Sequence, residues 1–134
     1  MSITAILEAI TSIRPDQRKK LPGPPNAGFS REEYYGDDHV WVGLVTTQPG
    51  TASPWHHHGD HQTYAYVLEG EATLEFGEEG SEAIVAKADG TLHIIPPHVA
   101  HREINNGSEP NRILIIRVGE GPVVVPLPGP PHSD

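Results

Sequence analysis

Apolar residues at Ile3, Ile6, Leu7, Ile10 and Ile13 recur at helical spacing, which predicts a short amphipathic helix over 3–13 that Pro15 ends. Residues 16–28 (DQRKKLPGPPNAG) are charged, then rich in Pro and Gly, and predict a linker or an arm lying over the surface. From about Phe29 the period changes. Short runs rich in Val, Ile, Thr and Tyr follow one another at 40–47, 54–58, 63–69, 72–76, 82–86, 92–95, 101–104, 113–118 and 123–127. Turn residues separate them at Pro49-Gly50, Glu69-Gly70, Gly77 to Gly80, Asp89-Gly90, Asn106-Gly107 and Gly119 to Gly121. Strands at intervals of roughly 8–12 residues leave no place for βαβ crossovers and predict an all-β sandwich or barrel. The expected organisation is an arm with a short helix and linker over 1–28, a barrel over 29–127 and a flexible tail over 128–134. From Pro126 onward proline is too frequent for a central strand, so that segment is expected along an edge or free of the barrel.

Composition narrows the function classes. The 134 residues are one domain's worth of chain. Without cysteine there is neither a disulfide framework nor a thiolate metal site, so a metal would be held by His, carboxylate, amide or water. A formal charge of −9 argues against nucleic acid and against an anionic membrane surface as partners. The first residues carry Glu8 and lack a basic n-region or cleavage site, so no signal peptide is expected. No apolar run approaches the roughly 20 residues that span a bilayer. The expectation is a soluble, cytoplasmic protein with a small-molecule partner. No Gly-x-Ser-x-Gly nucleophile elbow and no phosphate-binding loop occurs.

The histidines carry the chemistry. Residues 49–62 (PGTASPWHHHGDHQ) hold four of the nine, and His101 lies in a second segment, residues 90–105 (GTLHIIPPHVAHREIN). Neutral imidazole is the commonest protein metal ligand. A His-x-His pair on a strand aims both rings to one side, because side chains alternate with period two, and a third His from a later strand can close the site.

These two segments resemble the paired motifs of the cupin superfamily, G(X)5HXH(X)3,4E(X)6G and G(X)5PXG(X)2H(X)3N. Gly50, His56, His58 and Gly70 meet the first; Gly90, Pro96, His101 and Asn105 meet the second. The resemblance spans about residues 36–119. His98 stands where the second motif has Gly, so the turn before His101 must tolerate a side chain. The glutamate of the first motif is missing: three intervening residues put Gln62 in its place, four put Thr63 there. Gln62 is preferred, since an amide oxygen can coordinate where the carboxylate would; Thr63 and His61 remain alternatives, although a solvated loop is the expected setting of His61.

The resemblance implies a double-stranded β-helix, a jelly roll with one divalent transition metal per chain inside the barrel mouth, and commonly a homodimer. It implies His56, His58, His101 and Gln62 as ligands, with iron first and Mn, Ni, Zn or Cu accepted by the same donors. If Gln62 points inward, so do Tyr64, Tyr66 and Leu68; if His101 does, so does Glu103. Glu103 and Tyr64 are then the expected proton-moving groups. Three imidazoles and an amide leave the ion its full charge, which favours a chelating anionic substrate. The expected activity is dioxygenase-type chemistry on a small oxygen-rich metabolite. An oxygen-independent lyase or isomerase, and a non-catalytic metal- or ligand-sensing protein, are the alternatives.

Overall fold

The computed structural model describes residues 9–22 and 28–132. Its strands are β1 (Lys19–Leu21), β2 (Phe29–Gly36), β3 (Val40–Thr47), β4 (His56–His57), β5 (Gln62–Glu69), β6 (Glu71–Phe76), β7 (Glu82–Lys87), β8 (Leu92–Ile95), β9 (His101–Ile104), β10 (Asn111–Val118) and β11 (Val125–Pro126). They form two antiparallel sheets, one in the order β1-β2-β3-β10-β5-β8 and one in the order β11-β4-β9-β6-β7. The architecture is an all-β jelly roll. No described helix is long and apolar enough to cross a membrane.

Alternation along the strands sets the interior. On β10, Ile113, Ile115 and Arg117 are buried while Arg112, Leu114 and Ile116 are half-buried on the other face. The apolar core joins Val45, Ala65, Val67, Ala72, Ala86, Ile113 and Ile115, with Phe29 and Trp41 packed against it. The indole of Trp41 folds back over Gly43, where any Cβ would overlap the ring.

That arrangement is held by two fully buried asparagines. Asn105 donates from Nδ2 to the carbonyls of Thr47 and Glu109 at 2.9 Å, and its Oδ1 accepts from Gly107 N–H at 2.9 Å. Asn111 Oδ1 accepts from Thr47 N–H at 3.0 Å, and its Nδ2 donates to Glu71 carbonyl at 3.0 Å. Both amides tie the six-stranded sheet to the five-stranded one, and with these bonds made their burial costs little.

Several sequence expectations are corrected. Of the helix expected over 3–13, residues 3–8 lie outside the described residues and 9–13 are not helical; a single 3-10 turn follows at Pro15–Gln17. The arm contributes a strand, since β1 pairs with Arg31–Glu33 of β2 at the sheet edge. β2 itself was not anticipated, because its inward positions after Phe29 are Arg31 and Glu33, and charge there erases the alternation of apolar residues. The C-terminal segment runs along an edge: Leu127 N–H donates to Trp55 carbonyl, and Pro131 carbonyl accepts from Glu79 N–H.

Candidate metal centre

His56 on β4 is the direct cross-strand partner of His101 on β9. Opposed residues of an antiparallel pair share a face, so the two rings meet, with centroids 4.5 Å apart. His58, two residues beyond His56, returns to that face. Its ring lies 4.8 Å from His56 and 5.1 Å from His101. One nitrogen from each of the three rings lies within 4.8 Å of the others, and all three residues are buried.

The tautomers are set by the backbone. His56 Nδ1 is 2.8 Å from Pro54 carbonyl, His58 Nδ1 is 2.7 Å from Val123 carbonyl, and His101 Nδ1 is 2.9 Å from Val99 carbonyl. A carbonyl only accepts, so each Nδ1 must carry hydrogen and donate. In a neutral ring that leaves Nε2 with a free lone pair, which is the form a metal takes. His101 Nε2 is sealed from solvent and has no hydrogen-bond partner. Burial, then the positive field of Arg117, lowers the His58 pKa to about 2, and burial lowers that of His101 as well. Three convergent, neutral, pre-oriented imidazoles with an orphaned nitrogen fit a divalent transition metal.

Gln62 and Tyr64 are not beside the triad. On β5 the inward positions are Thr63, Ala65 and Val67, all buried; Gln62, Tyr64, Tyr66 and Leu68 alternate onto the outer face. Gln62 Nε2 donates to Tyr64 Oη at 2.6 Å on that face. The reason lies in the turn. Gly59, at φ +58, and Asp60 carry the chain round so that β5 enters with Thr63 inward, the four-residue spacing of the motif. Thr63 is 1% exposed and its Oγ1 has no partner. His61 is not solvated either: it is buried, and its Nδ1–H donates to His58 carbonyl at 2.9 Å, bracing that ligand's backbone. His57 faces away, with Nδ1 accepting from Gly59 N–H at 2.9 Å. His98, in the motif's glycine position, takes a left-handed φ of +63 and its Nε2 meets Asp60 Oδ1 at 2.8 Å.

Glu103 shares the inward face of β9 with His101. It lines a cavity of about 610 Å³ together with His56, His58, Arg31, Arg117 and Trp55. A much smaller cleft adjoining it is lined by Thr63, Glu103 and Arg117. Sequence reasoning missed Arg117 and Arg31. The signal was present: Arg117 continues the inward series Ile113, Ile115, and a charge at a core position of an apolar strand marks a cavity or an error of parity. Burial lowers the Arg117 pKa to about 10, Glu103 raises it and Arg31 lowers it further. The guanidinium stays charged at neutral pH and lies over the Trp41 ring, 5.3 Å from its centroid.

A family model described as the cupin domain matches residues 43–117, which includes all three clustered histidines, Glu103 and Arg117. The chain belongs to the cupin family. Solved structures with the same fold include an uncharacterized conserved protein with a double-stranded β-helix domain from Klebsiella pneumoniae, 23% identical over 78% of this chain and 88% of that one at a TM-score of 0.66. They also include an S161A mutant of Bacillus subtilis oxalate decarboxylase, 22% identical over 80% of this chain but only 30% of that one, with a TM-score of 0.66. KdgF from Halomonas sp. is 18% identical over 84% of this cupin and 96% of that chain, again at 0.66. At these identities the likeness is one of fold. No curated protein matches the sequence.

Proposed function

We propose that this cupin holds one divalent transition metal, iron first, on His56, His58 and His101, and acts as a dioxygenase-type enzyme on a small oxygen-rich metabolite in the cytoplasm. The observation that carries this reading is the fixed tautomer of the triad: three backbone carbonyls leave the Nε2 lone pairs free in three rings gathered beside a cavity that His56 and His58 line. When bound, the ion would supply Lewis acidity towards an oxygen-rich ligand and access to redox chemistry. The protein supplies the rest. Thr63, neutral and inward, adds no charge to the ligand set, so the site favours an anion. Glu103, which lines the cavity, takes or returns a proton from a ligand there in this reading, while apolar Phe29, Val45 and Ile115 restrict water.

An oxygen-independent lyase or isomerase is the second reading. The carboxylate of Glu103 in the cavity favours it, since proton transfer next to a polarised carbonyl needs no dioxygen. The similar fold of an oxalate decarboxylase keeps non-hydrolytic cleavage of a small acid in view. Oxygen uptake by iron-loaded protein with β-dicarbonyls, catechols and thiols separates the two. Uptake with one of these classes, abolished in His56→Ala, supports the dioxygenase; turnover without uptake supports the lyase or isomerase. Metal binding with no turnover of any kind leaves a sensing role.

We further propose that the chain works as a homodimer. The outer face of the six-stranded sheet exposes Tyr66, Leu92, Ile94 and Val118, which register places in neighbouring rows, and an apolar patch of this kind favours a partner.

A further inference from the structure

Arg117 sits where a hydrophobic residue would stabilise the barrel most. It is 8% exposed, in series with Ile113 and Ile115, and its Nε has no hydrogen-bond partner. Among the described residues it forms no ion pair; the arginine ion pairs there are those of Arg14, Arg18, Arg102 and Arg112. Burying a guanidinium without a hydrogen-bonded counter-ion is costly, and an apolar residue of similar volume there would stabilise the fold. A fold keeps such a charge where a ligand completes it.

The surroundings name that ligand's chemistry. Of the side chains lining the main cavity, the charged ones are Arg31, Arg117 and Glu103. Two guanidiniums face one carboxylate, so the cavity carries surplus positive charge inside a chain whose net charge is −9. That surplus is present before any metal is counted. The triad enters from β4 and β9 of one sheet, and Arg117 and Arg31 from β10 and β2 of the other. The cationic wall thus faces the metal-binding wall across the cavity. A guanidinium is a planar fork matched to the two oxygens of a carboxylate, and that of Arg117 lies over the Trp41 ring, its Cζ 5.3 Å from the centroid.

Taking the cavity as the substrate site of the reading above, we propose that Arg117 is the seat for a carboxylate group of the substrate, with Arg31 assisting at the mouth. The ligand class is a small organic acid with two separated ends: a carboxylate held by Arg117, and a second oxygen-bearing group directed at His56, His58 and His101. On β9 with His101, Glu103 belongs to the metal-binding wall, where it repels a second anion close by and favours an ionisable or enolisable middle. Arg117 is a binding residue that works without the metal.

The chain's two tryptophans report on this site, since Trp41 underlies Arg117 and Trp55 lines the cavity. The experiment titrates chelator-treated protein with acetate, malonate, succinate and glutarate, with succinamide as the uncharged match and inorganic phosphate as the rival oxyanion, reading tryptophan emission. Saturable change with at least one dicarboxylate, and none with succinamide, is expected. Arg117→Met should weaken that binding about tenfold or more while raising the thermal midpoint of metal-free protein, because a costly buried charge is gone. Arg117→Lys should bind with intermediate affinity, and Arg31→Gln should weaken binding several-fold. His57→Ala, whose ring lies outside the cavity lining, should bind the acid as the unaltered protein does, and because every sample is chelator-treated, loss of metal and loss of the acid are read separately. Equal responses to succinate and succinamide, no saturable response to any of the acids, or tighter binding of phosphate would each overturn the assignment. So would unchanged binding in Arg117→Met, or in Arg117→Lys where the methionine variant does not fold.

Discussion

His56 and His101 stand directly opposite one another across β4 and β9, with ring centroids 4.5 Å apart and each Nδ1–H given to a carbonyl two residues earlier in its own chain segment. The same backbone device, used twice, turns two Nε2 atoms towards one point. His58 reaches that point by a different route, through Val123 carbonyl in the segment that leads into β11. The C-terminal segment is therefore part of the site, since it fixes the tautomer of a ligand.

Loss of any one ring should empty the centre. His56→Ala and His101→Ala are expected to reduce bound metal from near one equivalent to near zero, whereas His57→Ala, whose ring faces away, should leave it unchanged. Elemental analysis of protein purified without chelator checks this.

The fourth position distinguishes Thr63 from Gln62. Gln62→Glu puts a charge on the outer face and should leave metal affinity unaltered, because Gln62 is bonded to Tyr64 there. Thr63→Glu adds an inward carboxylate and should tighten metal binding, by about tenfold or more if the carboxylate reaches the ion. Competition with a chelating dye measures both. Tightening by Gln62→Glu alone would reverse the assignment of faces.

The motif spacing left this point open because three or four residues after His58 both satisfy it, and one residue of slip turns every side chain of β5 over. The bounds of β3, β8 and β9 match the runs at 40–47, 92–95 and 101–104, since turn residues such as Pro49-Gly50, Asp89-Gly90, Pro96-Pro97 and Asn106-Gly107 flank them. β2 was illegible because Arg31 and Glu33 occupy its inward positions. His61 reads as solvent-facing beside Asp60, yet the turn at Gly59 buries it under its own backbone bond to His58. The family and the three histidines were readable in the sequence. The cationic wall, set by strands far apart in sequence, was not.

Stability of the metal-free protein should fall with acid. The folded-state pKa of His58 is lowered to about 2 and that of His101 is lowered too, both chiefly by burial. Unfolded histidine titrates near about 6.5. Above that pH neither state takes up a proton at these rings, and stability is at its full value. Below it the unfolded chain binds protons that the folded chain refuses, so stability is lost progressively, and for His58 the loss continues down to about pH 2. The slope is at most about 1.4 kcal/mol per pH unit for each ring. Thermal midpoints of chelator-treated protein between about pH 8 and about pH 5 should decline below about 6.5, and His58→Asn should flatten the decline. A flat profile in the unaltered protein contradicts the neutral, buried state of the rings.

Asn105 holds the two sheets together with three side-chain hydrogen bonds at full burial. Asn105→Ala strands two carbonyls and an N–H, and should cost about 3 kcal/mol or more. Chemical denaturation gives the value; a loss below about 1 kcal/mol would mean that water replaces the amide without strain.

Association should depend on the outer face of the six-stranded sheet. Ile94→Lys places a charge among Tyr64, Tyr66 and Leu92 and should shift a dimer to monomer in sedimentation velocity, with the metal content unaltered. A monomer in the unaltered protein would remove the dimer from the account.

The most direct test is a crystal structure recorded at the absorption edge of the metal that co-purifies. One anomalous peak is expected, at about 2.0–2.2 Å from Nε2 of His56, His58 and His101, on the side of Thr63 and away from Gln62. A peak bound elsewhere, or three rings with nothing between them in protein shown to be metal-replete in solution, would contradict the central claim.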